Sequence, residues 1–350
     1  MKDMGFVRTG LVAVLAAMMA CSLGSCEKML MDDLQGYSAE KNFDYLWQRV
    51  DQQYALFDVK EVDWQRVYDT LRNKVYDDME DEELFRVMAT MLNTLQDGHV
   101  NLITPFDMAR SDSVWYRRVY RNNIDERVVD LYYLGIDQHT TGSLRHNIIA
   151  DSSVIYVRYR SFESSVDESQ MHYIADLYPK AKGMILDLRQ NGGGAIRYIW
   201  ELLKAMPGHN QTLYTTQLKS GPGHNDFGAA TPVTAPTGKY ESFKKPVVVL
   251  TDRGSYSATS IFAISTMAYD NMYRMGDTTG GGLGLPNGGE LPNGWIYRFS
   301  VTRTLALDGK NYENGVPPDH TVILNPAATA VGHDNVIDSA ATFINALSTL

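Results

Sequence analysis

The sequence predicts an α/β protein that begins with a small helical domain, and two observations support this fold class. Between residues 38 and 96, apolar residues recur at helical spacing. After residue 150, short β-branched runs alternate with amphipathic stretches, which is typical of strand–helix units with strands buried on both faces. The 350 residues, of which 44% are hydrophobic and 21% charged, suit a globular protein with one large and one smaller domain.

Three amphipathic helices are expected in the first region. Their apolar positions are Phe43, Leu46, Trp47, Val50 and Tyr54; Trp64, Val67, Leu71 and Val75; and Leu84, Phe85, Met88, Met91, Leu92 and Leu95. The acidic run Asp77 to Glu83 lies where the third helix should begin. Favourable interaction with the helix dipole accounts for this run, so we predict no metal site there.

The α/β region contains three strongly apolar strand candidates, at 153–159, 183–188 and 246–252. Helical patterns follow them at 167–178, 195–206 and 257–269, and a further strand is expected at 211–218. The Gly- and Pro-rich segment 219–238 is predicted to be a long surface loop. No element is predicted for 105–150.

The first residues predict export and membrane anchoring. Lys2 and Arg8 precede the apolar run 10–23, which is too short to span a membrane comfortably but suits a signal peptide. "LGSC", ending at Cys26, resembles a bacterial lipobox, whereas the sequence before Cys21 fits less well. We expect a lipoprotein signal peptide at 1–25 and a lipid anchor at Cys26, on the periplasmic or outer-membrane face of a bacterial cell envelope. An ordinary secreted protein is the alternative.

Composition excludes several kinds of chemistry. The chain has two cysteines, Cys21 and Cys26, so the body of the protein has no disulfide, thiolate metal site or catalytic thiol. A formal net charge of −10, without a basic run, disfavours nucleic-acid binding. We predict no cofactor and no metal.

Unusual residues follow two of the predicted strands. "DLRQNGGGAIR" (187–197) places three glycines directly before a helix, where backbone N–H groups are able to approach a developing negative charge. A simple tight turn and a phosphate-binding loop are the alternatives, although the Walker and G-x-G-x-x-G patterns are absent. "RGSYSATSIFA" (253–263) places four hydroxyls at a strand-to-helix turn, where they either cap the helix or include a nucleophile.

A serine nucleophile needs a base, and His99 is the best placed of the eight histidines. It lies in "TLQDGHVNL", between the helical domain and the α/β region.

Two further stretches are "GDTTGGGLG" and "YENGVPPDH". Together with "TLQDGHVNL", "DLRQNGGGAIR" and "RGSYSATSIFA", they resemble in content and order the C-terminal processing and tricorn-type serine peptidases, from about residue 40 to the end. The resemblance implies a crotonase/ClpP-like α/β core with a helical N-terminal part, and peptide-bond hydrolysis through an acyl-enzyme.

The resemblance also implies roles for individual residues. The nucleophile falls on Ser257, with Ser255 as the competitor, and the oxyanion hole falls on the N–H groups of Ala258 and Gly193. The processing branch has a catalytic lysine where this chain has Gly282, and no lysine follows the nucleophile before Lys310.

The tricorn branch uses a histidine base oriented by a glutamate, and the matching residues are His99 and Glu313. A Ser-His-Glu triad also makes chemical sense, because a carboxylate stabilises the imidazolium that forms during proton transfer. Too few residues separate His99 from the strand at 153 for the PDZ module that many processing peptidases carry.

The expected organisation is a signal peptide at 1–25, an anchor segment and helical domain at 26–104, and an α/β peptidase domain at 105–350. The expected function is that of a membrane-anchored serine endopeptidase acting on peptides or proteins. A non-catalytic envelope protein that keeps the peptidase fold as a binding scaffold is the main alternative. Acyl-CoA chemistry on the related crotonase fold is disfavoured, because no basic cluster near either glycine turn would hold the adenosine phosphates.

Overall fold

The computed structural model describes residues 38–110 and 122–348, so the predicted signal peptide and Cys26 lie outside the described residues. The α-helices are α1 (Ala39–Gln53), α2 (Phe57–Lys60), α3 (Trp64–Leu71), α4 (Asp81–Asn93), α5 (Glu126–Val128), α6 (Glu168–Leu177), α7 (Arg197–Lys204), α8 (Ala258–Ser265), α9 (Pro326–Thr329) and α10 (Asn335–Leu347). Short 3-10 turns cover Arg72–Lys74 and Thr266–Ala268, and a π-helix covers Val129–Leu134.

The strands are β1 (Asn101–Ile103), β2 (Met108–Arg110), β3 (His139–Thr141), β4 (Leu144–Ile149), β5 (Val154–Arg158), β6 (Gly183–Asp187), β7 (Thr212–Leu218), β8 (Thr231–Thr234), β9 (Val247–Thr251), β10 (Met272–Gly276), β11 (Pro286–Glu290), β12 (Ile296–Ser300), β13 (Thr302–Ala306) and β14 (His320–Thr321).

A seven-stranded sheet in the order β14-β10-β9-β6-β5-β4-β3 forms the centre of the molecule. Strands β5, β6, β9, β10 and β14 are parallel, and β4 and β3 continue the sheet in antiparallel orientation. Every residue of β5, β6 and β9 is buried, because helices cover both faces of the sheet. The predicted α/β core is therefore confirmed.

Each face of the sheet has its own hydrophobic core. Residues of α6, α7 and α8 pack on one face, and the π-helix and α10 pack on the other. Because β6 and β9 are parallel neighbours, the segments that follow them emerge at the same edge of the sheet. This edge brings the glycine turn at 192–194 next to the turn that contains Ser257.

The N-terminal helices pack against a second sheet, which is antiparallel and has the order β11-β12-β1-β2. One hydrophobic core joins α1, α3 and α4 to residues of β1, β2 and β12. The expected boundary after residue 104 falls between β1 and β2, and the segment 286–300 returns from the α/β region to complete this sheet. His99 lies in the connection between α4 and β1.

A third sheet, β13-β7-β8, lies beside the core. The stretch 219–238 was expected to be a loop, but it includes β8, which pairs with β7 despite Pro232 because it is an edge strand. The unassigned stretch 105–150 contains β2, α5, the π-helix, β3 and β4. No helix within the described ranges is both long and apolar enough to cross a membrane.

Candidate active site

Ser257 lies in a sharp strand-to-helix turn between β9 and α8. Its backbone has φ 55° and ψ −117°, a conformation that costs a residue with a side chain about 1–3 kcal/mol. Hydrogen bonds on both sides hold the strained turn: Ser257 N donates to Gly281 O (2.9 Å) and Tyr256 N donates to Asn191 O (3.0 Å). The turn projects the hydroxyl of Ser257 away from the sheet, which is the geometry of a nucleophile elbow.

The four hydroxyls of this turn differ in exposure and in partners. Ser255 is buried, donates to Leu188 O (2.8 Å) and accepts from Asp252 N (3.0 Å). Thr259 and Ser260 are also buried, and they donate to Asn191 O and Thr279 Oγ1. Ser257 is half-buried, and its Oγ lies 3.0 Å from Nε2 of His99. Ser257 is thus the hydroxyl of the four that a substrate is able to reach and a base is able to activate.

His99 is buried, and its position is fixed by an Asp-centred turn. Its backbone N–H donates to Oδ1 of Asp97 at 2.8 Å, two residues earlier in the chain. Burial lowers the pKa of His99 below its ordinary value, although the charge of Asp97 acts in the opposite direction. The imidazole is therefore mostly neutral at pH 7, which is the form that accepts a proton from serine.

Glu313 is buried near His99 but does not bind the ring. Its Oε2 accepts hydrogen bonds from the N–H groups of Leu283 (2.7 Å) and Gly284 (2.8 Å). Nδ1 of His99 has no hydrogen-bond partner among the described residues. The backbone of Gly284 raises the pKa of His99, as expected for a carbonyl oxygen close to the ring, because such an oxygen stabilises the protonated imidazole. The structure thus brings Ser257 and His99 together, whereas Glu313 contacts the backbone segment beside the imidazole.

The glycine turn lies against the nucleophile. A Cβ on Gly193, at φ 96°, would lie 2.6 Å from Tyr256 O and 2.8 Å from Ser257 Cβ, so only glycine fits. Its N–H donates to Oδ1 of Asn191 (3.0 Å), so, contrary to its expected role, it is not a free oxyanion donor. This difference arises because the Asn191 side chain folds back over its own turn. Within the described residues, the N–H groups of Ala258, Gly192 and Gly194 have no acceptor.

The position where the processing branch has a lysine is filled by an aromatic ring. Tyr256 packs beside His99, with ring centroids 5.2 Å apart. A Cβ on Gly282 would lie 2.3 Å from the Tyr256 ring, so no lysine side chain fits there. Lys310 is exposed, and its amine lies 3.5 Å from Oδ2 of Asp308.

Sequence reasoning missed the residues that support this site. Asn191 holds the glycine turn and the nucleophile turn together, and Asp97 anchors His99. Both lie one or two residues before a glycine, a spacing that indicates an Asx turn but not its purpose. Across the described ranges, no group of three or more His, Cys, Asp or Glu side chains is arranged to hold a metal ion.

An elbow serine in contact with a buried histidine, beside free N–H groups at the edge of a parallel sheet, defines a serine hydrolase of α/β architecture. The sequence model of peptidase family S41 matches residues 153–322, and that of the tricorn protease C1 domain matches residues 37–93. The crystal structure of a candidate peptidase from Parabacteroides merdae ATCC 43184 is 38% identical, covers 88% of this chain and 97% of its own, and superposes with a TM-score of 0.84. The chain therefore belongs to peptidase family S41 and is a serine-type peptidase.

More distant relatives agree with this assignment. Two carboxy-terminal processing proteases of Bacillus subtilis (strain 168) are 25% identical to this chain: CtpA over 170 residues and CtpB over 182 residues. These matches cover 48% and 47% of this chain but only 34% and 36% of the two relatives. The tricorn protease crystal structure, at 14% identity, shares the fold with a TM-score of 0.51 and covers 89% of this chain and 36% of its own.

Proposed function

We propose that this protein is an endopeptidase that hydrolyses peptide bonds in peptides or proteins through an acyl-enzyme. In this proposal Ser257 is the nucleophile and His99 the general base, and Glu313 is the third member of the triad, which holds the backbone beside the imidazole. The observation that carries the proposal is the 3.0 Å contact between His99 Nε2 and Ser257 Oγ at a strained, half-buried turn.

The reaction follows from the positions of these groups. Ser257 Oγ attacks the carbonyl carbon of the scissile bond while its proton passes to Nε2 of His99. The N–H of Ala258, with an N–H of the glycine turn, stabilises the oxyanion. The imidazolium then gives its proton to the leaving amine, and water attacks the acyl-enzyme with His99 again as the base. Glu313 supports the ring through the Leu283–Gly284 backbone that it binds.

Labelling with a fluorophosphonate tests the proposal. Ser257→Ala should abolish labelling and lower peptide cleavage on the order of 10³-fold or more, because the triad acts as a unit. Ser255→Ala is the matched control: it should keep the label but lose stability, because the buried N–H of Asp252 loses the Ser255 hydroxyl as its acceptor. Labelling lost in Ser255→Ala and kept in Ser257→Ala would contradict the assignment. A folded native protein that neither reacts nor cleaves would favour the scaffold alternative.

We also propose that the chain is held on a bacterial envelope membrane by lipid at Cys26, on the basis of the "LGSC" sequence. Cells supplied with a labelled fatty acid should incorporate it into the native protein and not into Cys26→Ala. Label that persists on Cys26→Ala would refute the anchor.

A further inference from the structure

Two buried carboxylates flank the catalytic histidine, and neither is paired with a cation. Asp97 is 1% exposed and Glu313 is 2% exposed. Asp97 accepts from His99 N, from Tyr54 Oη (3.1 Å) and from Ser300 Oγ (2.8 Å). Glu313 accepts from two backbone N–H groups. No salt bridge within the described residues involves either carboxylate.

The two carboxylates belong to one cluster. Ser300 Oγ, which donates to Asp97, lies 3.5 Å from Gly284 O, while the N–H of Gly284 binds Glu313. Both carboxylates also raise the pKa of the buried Tyr54 hydroxyl, after burial itself. Lys60 lowers the pKa of Glu313, but it forms no salt bridge with either carboxylate within the described residues and donates instead to Gln96 O and Asn314 Oδ1. Two like charges in one buried cluster are unfavourable, so the pair retains a proton.

The hydrogen bonds indicate which carboxylate keeps the proton. Asp97 accepts three bonds that use both of its oxygens, and each bond favours the ionised form. The bonds to Glu313 use Oε2 alone, which leaves Oε1 to carry a proton. In agreement, burial followed by repulsion from Asp97 raises the pKa of Glu313 to about 8.

We propose that Asp97 and Glu313 hold one negative charge between them at neutral pH, that this charge lies on Asp97, and that Asp97 is the positioning residue that stabilises the imidazolium of His99. The inference rests on the proposed role of His99 as the base. Asp97 takes no proton in this scheme: the proton moves from Ser257 Oγ to His99 Nε2 and then to the leaving amine. Asp97 fixes the backbone of His99 and supplies the compensating charge.

The other groups around His99 make this charge necessary. Arg298 on β12 and Lys60 on α2 both lower the pKa of the imidazole, as burial does. Tyr256 from the nucleophile turn contributes an aromatic ring, and Tyr54 donates its hydroxyl to Asp97. Because Asp97 is the carboxylate whose charge raises the pKa of His99, its loss would leave the imidazolium among groups that disfavour it.

The test measures the proton affinity of His99 without using catalysis. The ring of His99 is titrated by NMR between pH 4 and pH 8 in Ser257→Ala protein, with and without Asp97→Asn. Asn keeps Oδ1 as the acceptor for His99 N but removes the charge. The midpoint should fall by about 1 pH unit or more, and kcat/KM in the protein with Ser257 intact should fall about 10²-fold.

Two further variants complete the test. Glu313→Gln should leave the midpoint within about 0.3 pH unit, because a proton-bearing glutamate and a glutamine are both neutral. Asp107→Asn, which removes an exposed charge from the hairpin between β1 and β2, is the matched control. It should also leave the midpoint of the His99 titration within about 0.3 pH unit. A fall of about 1 pH unit in Glu313→Gln, or no fall in a folded Asp97→Asn, overturns the proposal.

If Asp97→Asn does not fold, the Glu313→Gln titration alone tests the proposal: an unchanged midpoint supports it, and a fall of about 1 pH unit overturns it. If the native protein fails to cleave peptides, the proposed function fails while the titration still reports on the pair.

Discussion

The molecule contains two buried clusters of charge that are equally hidden from water but differently paired. Beneath the carboxyl ends of β5 and β6, Arg189 binds Asp187 (2.6 Å) and Asp334 (2.9 Å), and all three side chains are fully buried. Burial alone would raise the pKa of Asp187, but Arg189 and Arg158 lower it below its usual range. Each carboxylate there has a guanidinium partner, and these ion pairs hold the structure together. At Asp334 burial still raises the pKa, and Arg189 opposes that shift.

The cluster around His99 has two buried carboxylates and no bonded cation within the described residues. Here burial is the largest cause of both shifts: the pKa of Glu313 is raised, and that of His99 is lowered. The comparison shows that burial alone does not make a charged group reactive. A buried group becomes available for proton transfer when its charge is left without a fixed counter-ion.

The largest expected effect is on activity, at the unpaired cluster. His99→Ala should lower peptide cleavage on the order of 10³-fold or more, because among the described residues no other base contacts Ser257. Lys310→Met, at an exposed turn, should remain close to wild type. Cleavage rates of both variants, with thermal unfolding to check that each is folded, test whether His99 is the base. An inactive Lys310→Met beside an active His99→Ala would point to a lysine base.

The next effect is on stability, at the paired cluster. Arg189→Met leaves Asp187 and Asp334 buried without their partner, so the free energy of unfolding should fall by about 3–5 kcal/mol. Arg145→Met breaks the more exposed pair with Asp130 and is the control, with an expected loss below about 1 kcal/mol. Urea denaturation measures both. Equal losses would mean that the buried cluster contributes no more to the free energy of unfolding than the exposed ion pair does.

The smallest effect, taken per pH unit, is the pH dependence of stability that arises from Glu313. Its folded-state pKa of about 8 exceeds the value in the unfolded chain, so the folded protein keeps a proton that the unfolded chain releases above its own, lower pKa. Glu313 therefore makes the free energy of unfolding fall as pH rises toward 8, by at most about 1.4 kcal/mol per pH unit. Urea titrations of native protein and Glu313→Gln from pH 5 to pH 8 should show this slope only in the native protein. Parallel slopes would contradict the shift.

The sequence by itself determined the α/β core, because each central strand is a continuous apolar run, and such a run indicates burial on both faces of a sheet. It also indicated the hydroxyl-rich turn at 253–263 and His99 as local patterns, while the choice of Ser257 within that turn came from the family resemblance. The N-terminal helices were equally visible from their spacing. Their partner sheet was not, because β1 and β2 are short and complete their sheet with β11 and β12 from far along the chain.

Only the tertiary structure decided how the charges around His99 are arranged. Ser255 and Ser257 look alike in the sequence, but the first is buried against Leu188 and the second contacts His99. The family resemblance indicated Glu313 but not Asp97, and it did not show that folding sets Asp97 against Ser300 and Glu313 against Gly284 in one cluster. Proton affinity depends on burial and on neighbours that are distant in the chain, and the linear order of residues does not specify either of them.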